Sequence, residues 1–240
     1  MREARDSDVP RLVEIETQVW KPLGTEVFTP GHFHAWLEID PRLLLVAVVK
    51  GNIYGYTYTQ EIDFDFGDLS AFTTFDSFTD RGYTRSTRVK GGNSLFGVTI
   101  ASVGHGAGKV LHAANLALTH TLRKEYFVTT SRISGFDEYM RVPEVASAFL
   151  NAEPLLEADA ALWYTMKCMK MLNGKIWPTC PREPMLVLPS PKVPDPVLAS
   201  HLRTTKELGL AAVLAQFMND PSSRNYAALS VYQNTSPPGK

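Results

Sequence analysis

The sequence predicts an α/β (α+β) fold in which helices flank a sheet of mixed strand direction, and three observations predict it. First, an apolar run at 95–101, a glycine-rich loop, an amphipathic stretch at 110–122 and an apolar run at 126–131 read as strand, loop, helix and strand. That is a βαβ unit with parallel strands. Second, a valine-rich run at 43–49 and a run at 53–62 carrying Tyr54, Tyr56 and Tyr58 flank Lys50-Gly51-Asn52, which makes an antiparallel hairpin. Third, runs at 208–215 and 226–232 supply two closing strands.

The remaining elements fit around these. Val9, Leu12, Val13, Ile15 and Val19 recur at helical spacing, with Ser7 as cap and Pro10 in the first turn. Lys21-Pro22 stops this helix just after Trp20. Thr29-Pro30 opens a second helix that turns Phe33, Trp36 and Leu37 inward and ends before Asp40-Pro41. From 63 to 93 the chain is acidic and aromatic, then rich in Ser, Thr, Arg and Gly, without periodicity; so long a loop is expected to cover a site or to be partly mobile. In the central helix Val110, Leu111, Ala114, Leu118 and Leu122 mark one face. After Gly135 the pattern loosens, with a helix at 160–172 and then Pro178, Pro181, Pro184, Pro189, Pro191 and Pro194. The stretch 140–193 reads as an insertion. Asp195 caps a helix from Pro196 to about Glu207.

Composition narrows the function classes. Lys and Arg number 24 against 25 Asp and Glu, so no electrostatic footprint argues for nucleic acid or an anionic membrane. A small molecule or a protein is the expected partner. No apolar stretch of signal-peptide or membrane-spanning length follows Met1 to Arg5, and the two cysteines, Cys168 and Cys180, are expected as free thiols in a reducing cytoplasmic setting. His32 and His34 adjoin no cluster of ligating residues, so no metal is assigned.

The chemistry concentrates in Val103-Gly104-His105-Gly106-Ala107-Gly108-Lys109. A helix N-terminus presents unpaired N–H groups and a positive dipole end, and glycines let a phosphate approach that backbone. Lys109 and an outward-facing His105 would add charge. A magnesium-binding nucleotide loop needs glycine at Val103 and Ser or Thr at Val110, which are absent. A dinucleotide fingerprint fails too, since Lys109 or Leu111 occupies its third glycine position.

With its Gly106 and Gly108 placed between a strand and a long helix, the loop resembles the coenzyme A loop of the GNAT (N-acetyltransferase) superfamily. That loop runs Gln or Arg, two residues, Gly, one residue, then Gly or Ala. Val103 departs from its Gln or Arg. Arg2-Glu3-Ala4-Arg5 as an opening strand, two helices and the hairpin follow the superfamily's order of elements. The resemblance covers about 1–135 and 195–234. It implies a single GNAT-like domain over 1–240 with a mixed central sheet whose fourth and fifth strands splay apart, and leaves 140–193 without a counterpart. It also implies acetyl-CoA or another acyl-CoA as substrate, held at 103–109, and transfer of the acyl group to an amine.

Amine acetylation requires a base for the acceptor's proton and an acid for the departing thiolate. Glu61, Asp63 and Asp65 are candidate bases and also read as a solvated acidic edge; Tyr139 and Tyr226 are candidate acids and also read as packing tyrosines. The segments 131–136 and 195–198 resemble two GNAT subgroups, stand-alone bacterial acetyltransferases and the GNAT-like loading domains of polyketide synthases. The second subgroup resembles malonyl-CoA decarboxylases, and the resemblance implies for some of its members transfer of acetyl to a carrier-protein thiol as well. Its functional tryptophan, threonine and histidine fall on Trp20, Thr129 and His201, while its arginine falls on or near Met218, a departure. Three readings follow: an N-acetyltransferase, a decarboxylase or S-acyltransferase loading a carrier protein, and a non-catalytic acyl-CoA sensor.

Overall fold

The hairpin at the centre of the first half forms from β2 (Leu44–Val49) and β3 (Asn52–Ile62), which pair antiparallel from Leu44/Tyr58 to Val49/Asn52. Lys50 and Gly51 both take positive φ, 49° and 81°, at the turn. In the computed structural model, which describes residues 1–151, 157–181, 188–204 and 207–235, this hairpin belongs to the first of two compact units. That unit spans residues 1–65, 75–129 and the chain from 233; the second spans 66–74 and 130–232.

In the first unit the strands run in the order β1 (Arg2–Glu3), β2, β3, β4 (Ser94–Ser102), β5 (Tyr126–Arg132). The first three contacts are antiparallel and β4 to β5 is parallel, as the crossover helix α4 (Ala107–Thr121) requires. Helices α1 (Val9–Trp20) and α2 (Pro30–Ile39) cover the face that carries Tyr56 and Tyr58. Trp36 stacks on Tyr58 at 4.2 Å and Phe33 meets Tyr56 edge-on at 5.2 Å. All four are fully buried, each contributing about 2–3 kcal/mol of apolar burial. Helix α4 covers the opposite face, where Asn115 donates to the Thr57 hydroxyl at 3.0 Å. Gly55 leaves room there: a Cβ on it would lie 2.7 Å from the Ala101 carbonyl and 2.9 Å from Leu111.

Two local expectations change. Ser7 does not cap α1; it lies in a 3-10 turn over Asp6–Asp8, because Asp8 takes the Arg5 amide (2.8 Å) and the Arg2 guanidinium and so moves the helix start to Val9. The 75–93 part of the long loop holds a short helix, α3 (Phe75–Thr79), and is fastened rather than loose. Trp36 donates to the Gly82 carbonyl at 2.7 Å, and Arg88 bonds the Ile39 carbonyl at 3.2 Å, Asp40 and Glu61. Helical periodicity could not reveal this order because its partners lie about 30 to 50 residues away.

The second unit carries β6 (Lys175–Ile176), β7 (Gly209–Leu214) and β8 (Ala227–Gln233); β6 pairs parallel and β8 antiparallel with β7. Helices α5 (Phe136–Met140), α6 (Pro143–Asn151), α7 (Glu157–Met171) and α8 (Pro196–Thr204) complete it. Residues 140–193 contain α6, then α7 where a helix was expected at 160–172, and β6 of this unit's sheet. Pro184 and residues 205–206, where helix was expected, lie outside the described residues. Asp195 caps α8 as expected, accepting from the amides of Val197 (2.9 Å) and Leu198 (3.1 Å). Cys168 and Cys180 are buried free thiols. Among the described residues no helix is long and apolar enough to cross a membrane.

Candidate functional site

Strand β4 ends at Ser102, and the chain is held there by the Val103 amide donating to the Tyr54 carbonyl at 2.8 Å. Val103 therefore anchors the loop to β3. Gly104 (φ 122°), His105 (φ 51°) and Gly106 (φ 67°) then follow in left-handed conformations, which turns the backbone into the first turn of α4. Ala107 packs under the loop against Leu111 and Ala47, while Gly104, His105, Gly106 and Lys109 are exposed. The His105 ring rests on Tyr54, 4.1 Å between centroids. Gly108 lies close to Ser102: a Cβ there would stand 2.9 Å from the Ser102 hydroxyl, which would have to rotate away. Among the described residues no backbone carbonyl takes the amides of Gly108 and Lys109. The loop thus presents open amides, a helix dipole and a lysine on one exposed turn.

The parallel pairing of β4 with β5 runs only from Ser94/Tyr126 to Gly97/Thr129. Within this unit Val98 to Ser102 have a paired neighbour on one side only, β3. The buried Thr129 stands at the end of the paired stretch, and a Cβ on Gly97 would meet its hydroxyl at 3.3 Å. Trp20, at the C-terminal end of α1, has a buried indole N–H with no hydrogen-bond partner. One turn earlier, Glu16 is 1% exposed and accepts from the Phe28 amide (3.0 Å) and the Tyr56 hydroxyl. Burial pushes its carboxyl up to about 7 against these two donors, and holds the Tyr56 phenol well above its ordinary value. Sequence reasoning passed over Glu16, although it was the acid on the inward stripe of α1 between Leu12 and Val19.

Of the proposed bases, Glu61 is committed elsewhere. It accepts from Lys124 at 2.7 Å and from Arg88 at 3.0 Å. Burial raises its pKa, but these two cations outweigh that and hold it below the usual carboxylate range. Asp63 and Asp65 are exposed, and Asp63 takes the Asn93 amide at 3.2 Å.

In the second unit, Tyr139 donates to the Pro189 carbonyl at 2.6 Å and is pushed up to about 12 by burial; Tyr226 packs edge-on against Phe136. Burial raises Tyr226 as well. His201 lies on α8, half-buried, with its Nδ1 2.6 Å from the hydroxyl of Ser131. Ser131 is 2% exposed and was not singled out, because a serine on a strand carries no signal until its partner 70 residues away is known. Met218 is half-buried. Two residues beyond it, Asp220 binds the Arg132 guanidinium through two contacts of 2.7 Å.

No family model matches the sequence, and no curated protein matches it. Solved structures do. The chain is similar to GphF, a GNAT-like decarboxylase in complex with isobutyryl-CoA, with 18% identity over 97% of each chain and a TM-score of 0.64. It is similar to the loading GNATL domain of CurA from Lyngbya majuscula, with 14% identity over 97% of this chain and 96% of that one and a TM-score of 0.61. The ribosomal-protein-alanine N-acetyltransferase from Brucella melitensis follows at 14% identity, 97% and 98% coverage and a TM-score of 0.50. With its parallel βαβ crossover, its short β4–β5 pairing and these neighbours, the chain has the GNAT fold.

Proposed function

We propose that the chain binds an acyl-CoA, with its pyrophosphate on the loop 103–109 and its acyl thioester along the unpaired edge of β4, and acts on that thioester. The observation that carries this reading is the run of three left-handed residues, Gly104, His105 and Gly106, opening α4, with the amides of Gly108 and Lys109 given to no backbone carbonyl among the described residues. Such a nest suits a doubly charged pyrophosphate. Val98 to Ser102 leave main-chain groups to pair with an extended pantetheine and to polarise a thioester carbonyl. In the first reading the acyl group passes to an amine of a small-molecule acceptor, with Thr129 and Trp20 flanking the thioester. The test is release of CoA thiol from acetyl-CoA in the presence of a panel of amines.

A second reading is decarboxylation of a malonyl-type thioester or loading of a carrier-protein thiol. It is favoured by the Ser131–His201 hydrogen bond, which holds the imidazole of a histidine that the resemblance makes functional, and by the engagement of Glu61 with Lys124 and Arg88, which occupies a candidate base. Carbon dioxide release from malonyl-CoA alone, lost in Ser131→Ala and His201→Ala, selects this reading; an intact malonyl thioester excludes decarboxylation.

A further inference from the structure

Where α4 meets the sheet it is apolar, with Ala107 and Leu111 packed on Ala47 and Ile100, yet one turn beyond Leu111 it buries Asn115, which is 2% exposed. The Asn115 side-chain amide donates to the Thr57 hydroxyl at 3.0 Å, and that hydroxyl donates to the Thr99 main-chain carbonyl at 2.9 Å. The Asn115 side-chain oxygen is buried without a hydrogen-bond partner among the described residues. Packing alone favours an apolar side chain here, since burying an amide with one group unsatisfied is unfavourable. Both hydrogen bonds converge on one peptide of β4.

Strand register shows where the other end of that peptide points. The Val103 amide donates to the Tyr54 carbonyl, so Tyr54 and Val103 form a hydrogen-bonded pair. Counting back along the regular part of the ladder, Tyr56/Ala101 and Tyr58/Thr99 are hydrogen-bonded pairs, whereas Gly55/Ser102 and Thr57/Ile100 are not. The Thr99 carbonyl therefore points to β3. The Ile100 N–H, trans to it in the same planar peptide, points to the opposite edge, which no strand of this unit pairs beyond Gly97. Ser102 presents its amide to that edge too, but Ile100 lies nearer the end of the β4–β5 pairing.

We infer that Thr57 and Asn115 are positioning residues, which hold the Thr99–Ile100 peptide so that the Ile100 amide donates to the carbonyl oxygen of a bound acyl thioester. This rests on the reading that β4 receives an acyl-CoA. A donor on the Thr99 carbonyl fixes the plane of a peptide with no strand on its far side and strengthens its N–H as a donor, because hydrogen bonds in a chain polarise one another. The thioester oxygen gains negative charge whether an amine attacks the carbon or a malonyl carboxylate leaves as carbon dioxide, so one amide serves either chemistry. The Ile100 N–H touches the substrate, and Thr57 and Asn115 act through it.

Infrared difference spectra of acetyl-CoA isotopically labelled at its acyl carbonyl, bound to the full chain, test this. The parent is expected to shift the bound carbonyl stretch to lower wavenumber than in solution. Thr57→Val combined with Asn115→Leu removes both polar side chains together and so leaves no buried side chain newly unpaired. This double variant is expected to bind acetyl-CoA within about tenfold of the parent, since one neutral hydrogen bond is at stake, and to lose most of the shift. Thr57→Ser keeps the hydroxyl and is expected to keep the shift. The parent supplies a second readout that needs no variant: the Ile100 amide proton moves downfield in magnetic resonance spectra with acetyl-CoA and not with free CoA, which has no acyl carbonyl. An unshifted carbonyl in the bound parent, an Ile100 amide that responds alike to both ligands, or a shift that the double variant retains overturns the inference and leaves the acyl-CoA reading standing. Failure of acetyl-CoA to bind the parent overturns that reading and the inference with it.

Discussion

The Glu16 carboxylate accepts the hydroxyl hydrogen of Tyr56 in a site that solvent does not reach, and no cation shares it. The pair joins α1 to β3 beneath the segment that connects the first two helices, and its charge state sets how stability responds to pH.

Glu16 has its folded pKa raised to about 7 from 4.5, so the folded chain holds a proton that the unfolded chain releases between those values. Its stabilising contribution is full below 4.5 and is lost as pH rises through about 7. The loss approaches about 3 kcal/mol at pH 8. Urea unfolding at pH 5 and pH 8 is expected to show that Glu16→Gln lacks this part of the decline, so the variant gains on the parent as pH rises.

Glu61 behaves in the opposite sense. Its pKa is lowered by Lys124 and Arg88, which outweigh burial, so its contribution is present above the unfolded value and is lost as pH falls through the folded one. Glu61→Gln leaves Lys124 buried without its carboxylate and is expected to lower stability at pH 7 by about 3 kcal/mol. In acid the difference from the parent should narrow, which the urea midpoints at pH 7 and pH 4 check.

Gly55→Ala places a Cβ against the Ala101 carbonyl and the Leu111 side chain, where β3, β4 and α4 meet. Overpacking of this kind costs about 1–3 kcal/mol. A fall in thermal midpoint is expected, and because Val103 is tied to Tyr54 beside Gly55, weaker acetyl-CoA binding should accompany it.

Lys109 is exposed on the first turn of α4, beside the proposed pyrophosphate position. Lys109→Ala is expected to weaken acetyl-CoA binding several-fold at low salt and by less at high salt, since exposed charges are screened. Titration at two ionic strengths measures the difference.

How much of this was legible in the sequence depends on the range of the signal. The hairpin around Lys50-Gly51, the glycine loop with its following helix, and the Asp195 cap are written in neighbouring residues, and they appear where expected. Glu61 as an anchored ion pair, Ser131 as the partner of His201, and the fastening of 75–93 to α2 depend on contacts across tens of residues. No local pattern encodes those. Glu16 lies between the two cases: its place on an apolar stripe was visible, but the tyrosine that makes its burial tolerable lies 40 residues away.

The central claim is that the loop 103–109 receives the phosphates of an acyl-CoA, and calorimetric titration of the parent chain and of Gly106→Glu with acetyl-CoA tests it most directly. A Cβ at Gly106 meets nothing within 4 Å, so the substitution introduces a negative charge and local strain at φ 67° without a clash in the core. Saturable binding by the parent and loss of at least about tenfold in affinity by the variant is the predicted result. An inert parent, or a variant that binds as tightly, would contradict it.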